Sequence, residues 1–440
     1  MLEKPTSILH QINSNRSNFV AACRFFKNPK VDSNKLIQPL LKSTAEASVG
    51  KDVLVIQDTT ELNYEHHSGY LSRKDKDLGP TGNDIDMGFF MHPSIVIDLK
   101  NEMLLGASDL HIWNRQYDKK KKNERDYKKE PIEIKESYRW IASALRSKEI
   151  LKKASSILIV SDRESDIFDE FIEVPDSQTD VLIRSKENRR LHGSDFKLYE
   201  YLDTIPMTGS ISLNMRNAKH RTARQATLNI KFSKVSIVRP KRVPKQKNLP
   251  AYIELNVIEV IEDASNVPDG EKSICWVLLT TRPVDTLSQA LYLIKCYALR
   301  WQIELIFSTL KSKGLNIEES QLETGKALKS LSALSFITAI RINQLRLAHD
   351  KNNDAEATIV FNSEQIILLK ALVGKLEGQT EKQKNPHVIE SLAWAVWVIA
   401  RLGGWKGYSS ESPPGNKTMY IGWNDFNRIY SGWNIARNLN

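Results

Sequence analysis

The chain has 440 residues, more than one hydrophobic core usually organises, and 41% of them are apolar, enough to exclude long disorder. A formal net charge of +10 favours a polyanionic partner, because each lysine or arginine set on a phosphate releases condensed counterion. Cys23, Cys275 and Cys296 give neither a disulfide framework nor metal-finger spacing, and no apolar run reaches the length of a signal peptide or membrane span, so a cytoplasmic protein without membrane contact is expected.

Residues 1–50 read as short helical pieces, with a stop at Asn28-Pro29 and a new helix start at Asp32-Ser33. VLVIQD, ending at Asp58, is an apolar run of the buried-strand type, and MHPSIVIDL and MLLGASDLHIW continue as strands joined by a turn at Lys100-Asn101. The lysine-rich run from Lys119 to Lys129 is too charged for a core, and IKESYRWIASALRS after it has helical spacing. SSILIVSD, ending at Asp162, is a second buried strand, followed by an expected helix from Glu164 to about Glu173. From Thr179 to Thr281 the pattern is strand-like and reads as an antiparallel insertion, interrupted by the basic loop Arg239 to Asn248, whose prolines and charges keep it out of a sheet interior. Helices are expected at Leu287 to about Lys313, Lys326 to His349, Gln365 to Leu376 and over VIESLAWAVWVIARL, before an exposed turn and an aromatic tail.

Asp58 and Asp162 each end an apolar strand, where ligand sites in mixed α/β sheets tend to lie. Taken singly, an aspartate there more often caps a helix or starts a turn. The stronger signal is YALRWQIELIFSTLK, which sets Tyr297, Arg300, Glu304 and Lys311 on one helix face within a stripe about 60° wide. A solvated polar face is the plain alternative, yet Trp301, Ile303, Leu305, Ile306 and Leu310 surround the stripe, and a buried charged stripe is costly unless paired or holding ions. Carboxylate oxygens suit Mg²⁺ or Mn²⁺, and two such ions can serve an in-line displacement at phosphorus, with Arg300 and Lys311 on the non-bridging oxygens. His66 and His67 follow Asp58 closely, but a histidine pair in a polar loop is more often exposed than ligating.

At these residues the chain resembles the DDE transposases of the RNase H-like superfamily, specifically the insertion-sequence-four family, which includes the transposase of transposon five. QDTT at Gln57 to Thr60, SDRESDI at Ser161 to Ile167, and the Y-x2-R-x3-E-x6-K signature met by Tyr297, Arg300, Glu304 and Lys311 carry the resemblance. It implies an α/β, RNase H-like mixed sheet flanked by helices, with an antiparallel β-strand insertion and a helical C-terminal region. The implied organisation is a remnant of an N-terminal helical DNA-binding domain (1–50), a catalytic core in two parts (51–178 and 284–350), the insertion (179–283) and a dimerisation region (351–440). In function it implies a cut-and-paste bacterial transposase, associated with the nucleoid, that works as a homodimer on double-stranded DNA at transposon ends and target. Asp58, Asp162 and Glu304 would be catalytic and bind Mg²⁺, with Mn²⁺ as a substitute. Water would cleave one strand, the freed 3′-hydroxyl would form a hairpin, and the reopened end would join target DNA. Tyr297, Arg300, Lys311, Arg184, Lys186 and Arg163 would contact DNA, and Trp276 would stack an extruded base, its plain alternative being a strand-core aromatic. Arg189, Arg190 and the two basic runs are further candidate phosphate contacts, although such runs are more often simply solvated.

The front of the chain departs from that pattern, because only 57 residues precede Asp58 and NFVAACRFFKNPKV resembles the end of the family's end-recognition domain. Two alternatives follow: an N-terminally shortened, non-catalytic inhibitor that pairs with full-length transposase, and a general metal-dependent nuclease of the same fold.

Overall fold

A computed structural model describes residues 9, 16–117, 130–215, 222–241, 249–312, 314–350, 355–408 and 411–437. The basic run at 119–129 and most of the 239–248 loop lie outside them. In chain order the elements are α1 (Arg16–Lys27), α2 (Ser33–Ala47), β1 (Asp52–Gln57), β2 (Thr60–Asn63), β3 (Gly79–Pro80), β4 (Met87–Asp98) and β5 (Met103–Trp113). Next come α3 (Tyr138–Ile150), β6 (Ser156–Ser161), α4 (Glu170–Glu173), β7 (Thr179–Arg184), α5 (Leu198–Thr204), β8 (Gly209–Met215), β9 (Arg224–Val238), β10 (Tyr252–Glu262) and β11 (Cys275–Thr280). The remaining helices are α6 (Leu287–Ala298), α7 (Trp301–Lys311), α8 (Gly325–Asp350), α9 (Ser363–Leu376), α10 (Leu392–Leu402) and α11 (Asn416–Arg437). The architecture is mixed α/β with a helical C-terminal region, and among the described residues no helix is long and apolar enough to cross a membrane.

The chain divides into two compact units. One contains Val53–Asp58 and Lys120–Arg300. Its strands lie in the order β1-β6-β7-β11-β10-β9-β8, with β7 parallel to β6 and antiparallel to β11, so the sheet is mixed. Val53, Leu54, Val55 and Ile56 are wholly buried, as are Ile157 to Val160, which is why both strands read as continuous apolar runs rather than alternating ones. Thr179–Arg184, expected as part of an antiparallel insertion, instead extends the sheet in parallel beside β6, where its Val181, Leu182 and Ile183 are buried. Beyond it β8 to β11 are antiparallel throughout.

The other unit comprises Met1–Asp52, Thr59–Lys119 and Trp301–Asn440. Here β4 pairs antiparallel with β2, β3 and β5, and α8 is the hub against which α2, β5, α7, α10 and α11 pack. Gly106, at φ 153°, lets α2 approach β5: a Cβ there would strike Thr44 Oγ1, which instead accepts the Ala107 N–H at 3.1 Å. Gln344 of α8 donates to the carbonyls of Leu104 and Leu105 at 3.0 and 2.9 Å, satisfying a buried amide against the same strand. Helix α10 is apolar on all faces and buried from Leu392 to Ala400. The aromatic tail forms α11, and Gly422 on it sits where a side chain would collide with the Ile399 carbonyl.

Three expectations change at this level. The helix expected from Glu164 to Glu173 is a 3₁₀ turn at Arg163–Ser165 followed by the single-turn α4. The helix expected from Leu287 to about Lys313 breaks at Leu299-Arg300 into α6 and α7, so Tyr297 lies on one helix and Glu304 and Lys311 on another. On α7, Ile303, Ile306, Phe307 and Leu310 are buried, but Trp301 is 63% exposed, so the helix is buried on one side only.

Candidate active site

Strand β1 ends at Gln57 and releases Asp58 as a half-buried residue. Its Oδ2 accepts a hydrogen bond from Arg300 Nη1 at 2.8 Å, with only 14% and 17% of the two side chains exposed. This pair lies at the helix break. Arg300 turns out of the helical path, its N–H bonding to the Tyr297 carbonyl at 3.0 Å in a tightened last turn. A hydrogen bond to a charged partner contributes about 1.5–3 kcal/mol, against about 1 kcal/mol for an ordinary helical one.

Strand β6 is the neighbour of β1 in the sheet, and Asp162 follows its last residue. Asp162 Oδ1 accepts the Glu164 N–H at 2.8 Å, so the aspartate does cap the turn after it, as the plain reading of such a position allows. Tyr297, 5% exposed, lies in the field of Asp162 and of the basic groups of this unit. Burial pushes its hydroxyl pKa up; the charges of Arg300 and Arg184 pull it down, Asp162 pushes it up, and Arg184 is its hydrogen-bond partner. Trp276 meets the Tyr297 ring edge to face at 5.4 Å. Arg184 Nη2 also donates to the Cys275 carbonyl at 2.7 Å. Burial raises the Cys275 thiol pKa, as does Glu259, while Arg184 and Arg163 oppose that, which places Arg163 in the same electrostatic neighbourhood. Asp58, Asp162, Tyr297, Arg300, Arg184, Arg163 and Trp276 are thereby linked within one unit.

Glu304 and Lys311 lie on α7, in the other unit. Glu304 is half-buried, and Lys311 Nζ stands 3.7 Å from Glu318 Oε1. Lys186 is exposed, with its N–H bound to Asp166 Oδ2 at 2.8 Å. Among the described residues no three His, Cys, Asp or Glu side chains are grouped so that they could hold a metal ion. The donor chemistry nonetheless suits a hard cation: Asp58 and Asp162 present carboxylate oxygens after adjacent strands, and Asp58 already holds a cationic group.

Two candidates take structural roles. Arg189, one of a basic run that could have been solvated or at phosphate, is 8% exposed and its Nε donates to Asp166 Oδ1 at 3.0 Å, so its charge is neutralised inside the fold. His67, expected in an exposed loop, is buried; its Nε2–H donates to the Glu318 carbonyl at 2.9 Å and its Nδ1 faces the Tyr70 hydroxyl. Desolvation lowers its pKa, which favours the neutral ring that this pattern requires.

A buried pair soon after Asp162 in the chain was not anticipated from the residues alone. Ser165 Oγ lies 2.7 and 2.6 Å from the two oxygens of Glu170, a fully buried carboxyl whose pKa burial pushes up to about 8. A hydroxyl has one proton to give, so both short contacts are satisfied when Glu170 is protonated and donates one bond back.

A cryo-EM structure of a piggyBac transposase synaptic complex with hairpin DNA is similar over 87% of this chain and 68% of that one, at 9% identity and a TM-score of 0.31, too low to carry an argument. The transposase DDE domain family matches residues 50–340, a span that includes Asp58, Asp162, Glu304 and the basic residues around them, and the chain belongs to that family.

Proposed function

We propose that the protein is a cut-and-paste DNA transposase of the insertion-sequence-four type, in which Asp58, Asp162 and Glu304 form the metal-binding catalytic set of an RNase H-like core. The observation that supports this reading is that Asp58 of the first sequence block bonds Arg300 of the third, while Tyr297 of the third lies in the field of Asp162 of the second. When bound, Mg²⁺ or Mn²⁺ supplies charge neutralisation at phosphorus and lowers the pKa of an attacking hydroxyl or water.

The chain's own groups then have distinct tasks. Arg300 exchanges Asp58 for a non-bridging phosphate oxygen, which its planar fork grips with two donors, and Lys311 adds a point charge. Arg184, Lys186 and Arg163 hold the backbone beside the scissile bond. Tyr297, fixed by Arg184 and Trp276, keeps these groups in register. Water opens one strand, the released 3′-hydroxyl attacks the opposite strand, and the hairpin is reopened before joining target DNA. Each step forms one P–O bond as another breaks, so no covalent enzyme intermediate is required. The sharp bend of the hairpin is offset by stacking an extruded base on Trp276. The protein acts as a homodimer on double-stranded DNA, with residues 351–440 pairing the subunits, in the bacterial cytoplasm at the nucleoid.

The test is cleavage of duplex DNA taken from the flanks of the gene itself. Nicked and hairpin products should form with Mg²⁺ and vanish with EDTA, and Asp162→Asn and Glu304→Ala should lower product formation by roughly 1,000-fold or more while the circular dichroism spectrum is unchanged. Metal-independent products, or undiminished cleavage by either variant, would remove the assigned site.

A further inference from the structure

Asp166 lies four residues beyond Asp162 and has no part in the chemistry above, yet its side chain is wholly buried. Its carboxylate accepts from both sides. Oδ1 takes Arg189 Nε at 3.0 Å and also Nη2, while Oδ2 takes the N–H groups of Lys186 and Glu187 at 2.8 and 3.0 Å. Arg189 Nη2 further donates to the Asp166 carbonyl at 2.7 Å. The arginine is 7% exposed at its side chain, so both charges are desolvated and both are satisfied. Arg189 is anchored in turn, since its own carbonyl accepts the Leu198 N–H at 2.8 Å and the next carbonyl, of Arg190, accepts the Val238 N–H at 2.9 Å.

We propose that Asp166 and Arg189 are positioning residues that lock the turn carrying Asp162 to the segment carrying Arg184 and Lys186. This rests on the transposase reading of that site. The turn after β6 and the exit of β7 are neighbours in a parallel pair, but a strand pairing alone does not fix the loops beyond it. Four hydrogen bonds on one carboxylate do. They hold the backbone of Lys186 against the residue that ends the Asp162 turn, so the cation at the DNA backbone and the carboxylate at the scissile phosphate share one rigid frame. A misplacement of about 1 Å between such groups costs roughly 100-fold in rate, whereas binding of a long DNA duplex, spread over many cations, barely registers it.

Asp166→Asn is the informative change. One amide oxygen cannot serve the Arg189 fork and the two backbone N–H groups together, and the NH₂ faces donors on one side, so the frame that holds Lys186 loosens. The variant should lower kcat for end cleavage by roughly 100-fold with KM for DNA within about threefold of wild type. A double-mutant cycle separates placement from mere stability: Lys186→Ala should cost about fivefold or more in the wild type and less than about twofold in Asp166→Asn, because the cation is already misplaced. Multiplicative losses, or a lower melting temperature with unchanged kcat, would overturn the proposal. Arg189→Lys, which keeps the charge but loses the fork, should show the same split at about tenfold. Failure of both variants to fold would make the pair a staple of the fold and overturn the proposal too. If the wild type does not cleave, the functional reading fails instead, and the lock is read from amide hydrogen exchange at Lys186 and Glu187, where protection unchanged by Asp166→Asn would refute it.

Discussion

Replacing Arg300 by alanine should push metal binding and catalysis in opposite directions. In the protein without DNA, Arg300 Nη1 sits 2.8 Å from Asp58 Oδ2 and both side chains are mostly buried, so a divalent ion seeking that carboxylate must displace the guanidinium. Two charges about 4 Å apart at an effective dielectric near 20 attract by about 4 kcal/mol, and desolvation of both groups leaves a net contribution of about 1.5–3 kcal/mol. At about 1.4 kcal/mol per tenfold, Arg300→Ala should tighten Mn²⁺ binding by roughly 10- to 100-fold, read as loss of the free-ion signal in an electron paramagnetic resonance titration. The same variant should lower DNA cleavage by roughly 100-fold, because the phosphate loses its bidentate partner. Adding Asp58→Asn should abolish the gain in Mn²⁺ affinity. Unchanged Mn²⁺ affinity in Arg300→Ala, or a gain that survives Asp58→Asn, would refute the idea that Arg300 occupies the cation's place.

Trp276→Ala should slow hairpin formation by about tenfold while first-strand nicking changes by less than about twofold, as resolved by product lengths on a denaturing gel; equal effects would return Trp276 to a packing role against Tyr297. Glu170→Gln tests the buried carboxyl through pH. With its folded pKa pushed to about 8 against an ordinary value of 4.5, Glu170 holds a proton in the folded chain that the unfolded chain has released, so its contribution to stability falls as pH rises between those values. The glutamine variant lacks that loss. Its urea midpoint should gain on the wild type from pH 5 to pH 8, and a constant difference between the two would show that Glu170 ionises normally.

The parts of the site that read clearly in the sequence are those set by local pattern. Apolar runs ending in Asp58 and Asp162 became buried strands, since a stretch such as Val53 to Ile56 can be solvated nowhere. Asp32 caps α2 by accepting the Asn34 N–H at 2.6 Å, as the Asp-Ser start suggested. What escaped depends on partners far away in the chain. Nothing in ALRWQ, which has neither glycine nor proline, announces the break at Leu299-Arg300, where Arg300 pairs with Asp58, 242 residues earlier. Arg189 looked like one of a run of solvated cations because its neutralising carboxylate is 23 residues back. Helix α11 was read only as aromatic, since Gly422 and Gly432 weaken the helical signal; Gly422 serves the close approach to Ile399 rather than a turn.

The most direct test of the central claim is anomalous diffraction from crystals of the protein bound to end DNA and soaked in Mn²⁺. Peaks should lie about 2–2.3 Å from carboxylate oxygens of Asp58, Asp162 and Glu304, with Arg300 moved onto a phosphate. Manganese bound without Glu304, or Arg300 still on Asp58 beside a well-ordered scissile phosphate, would contradict a catalytic centre built from these three carboxylates.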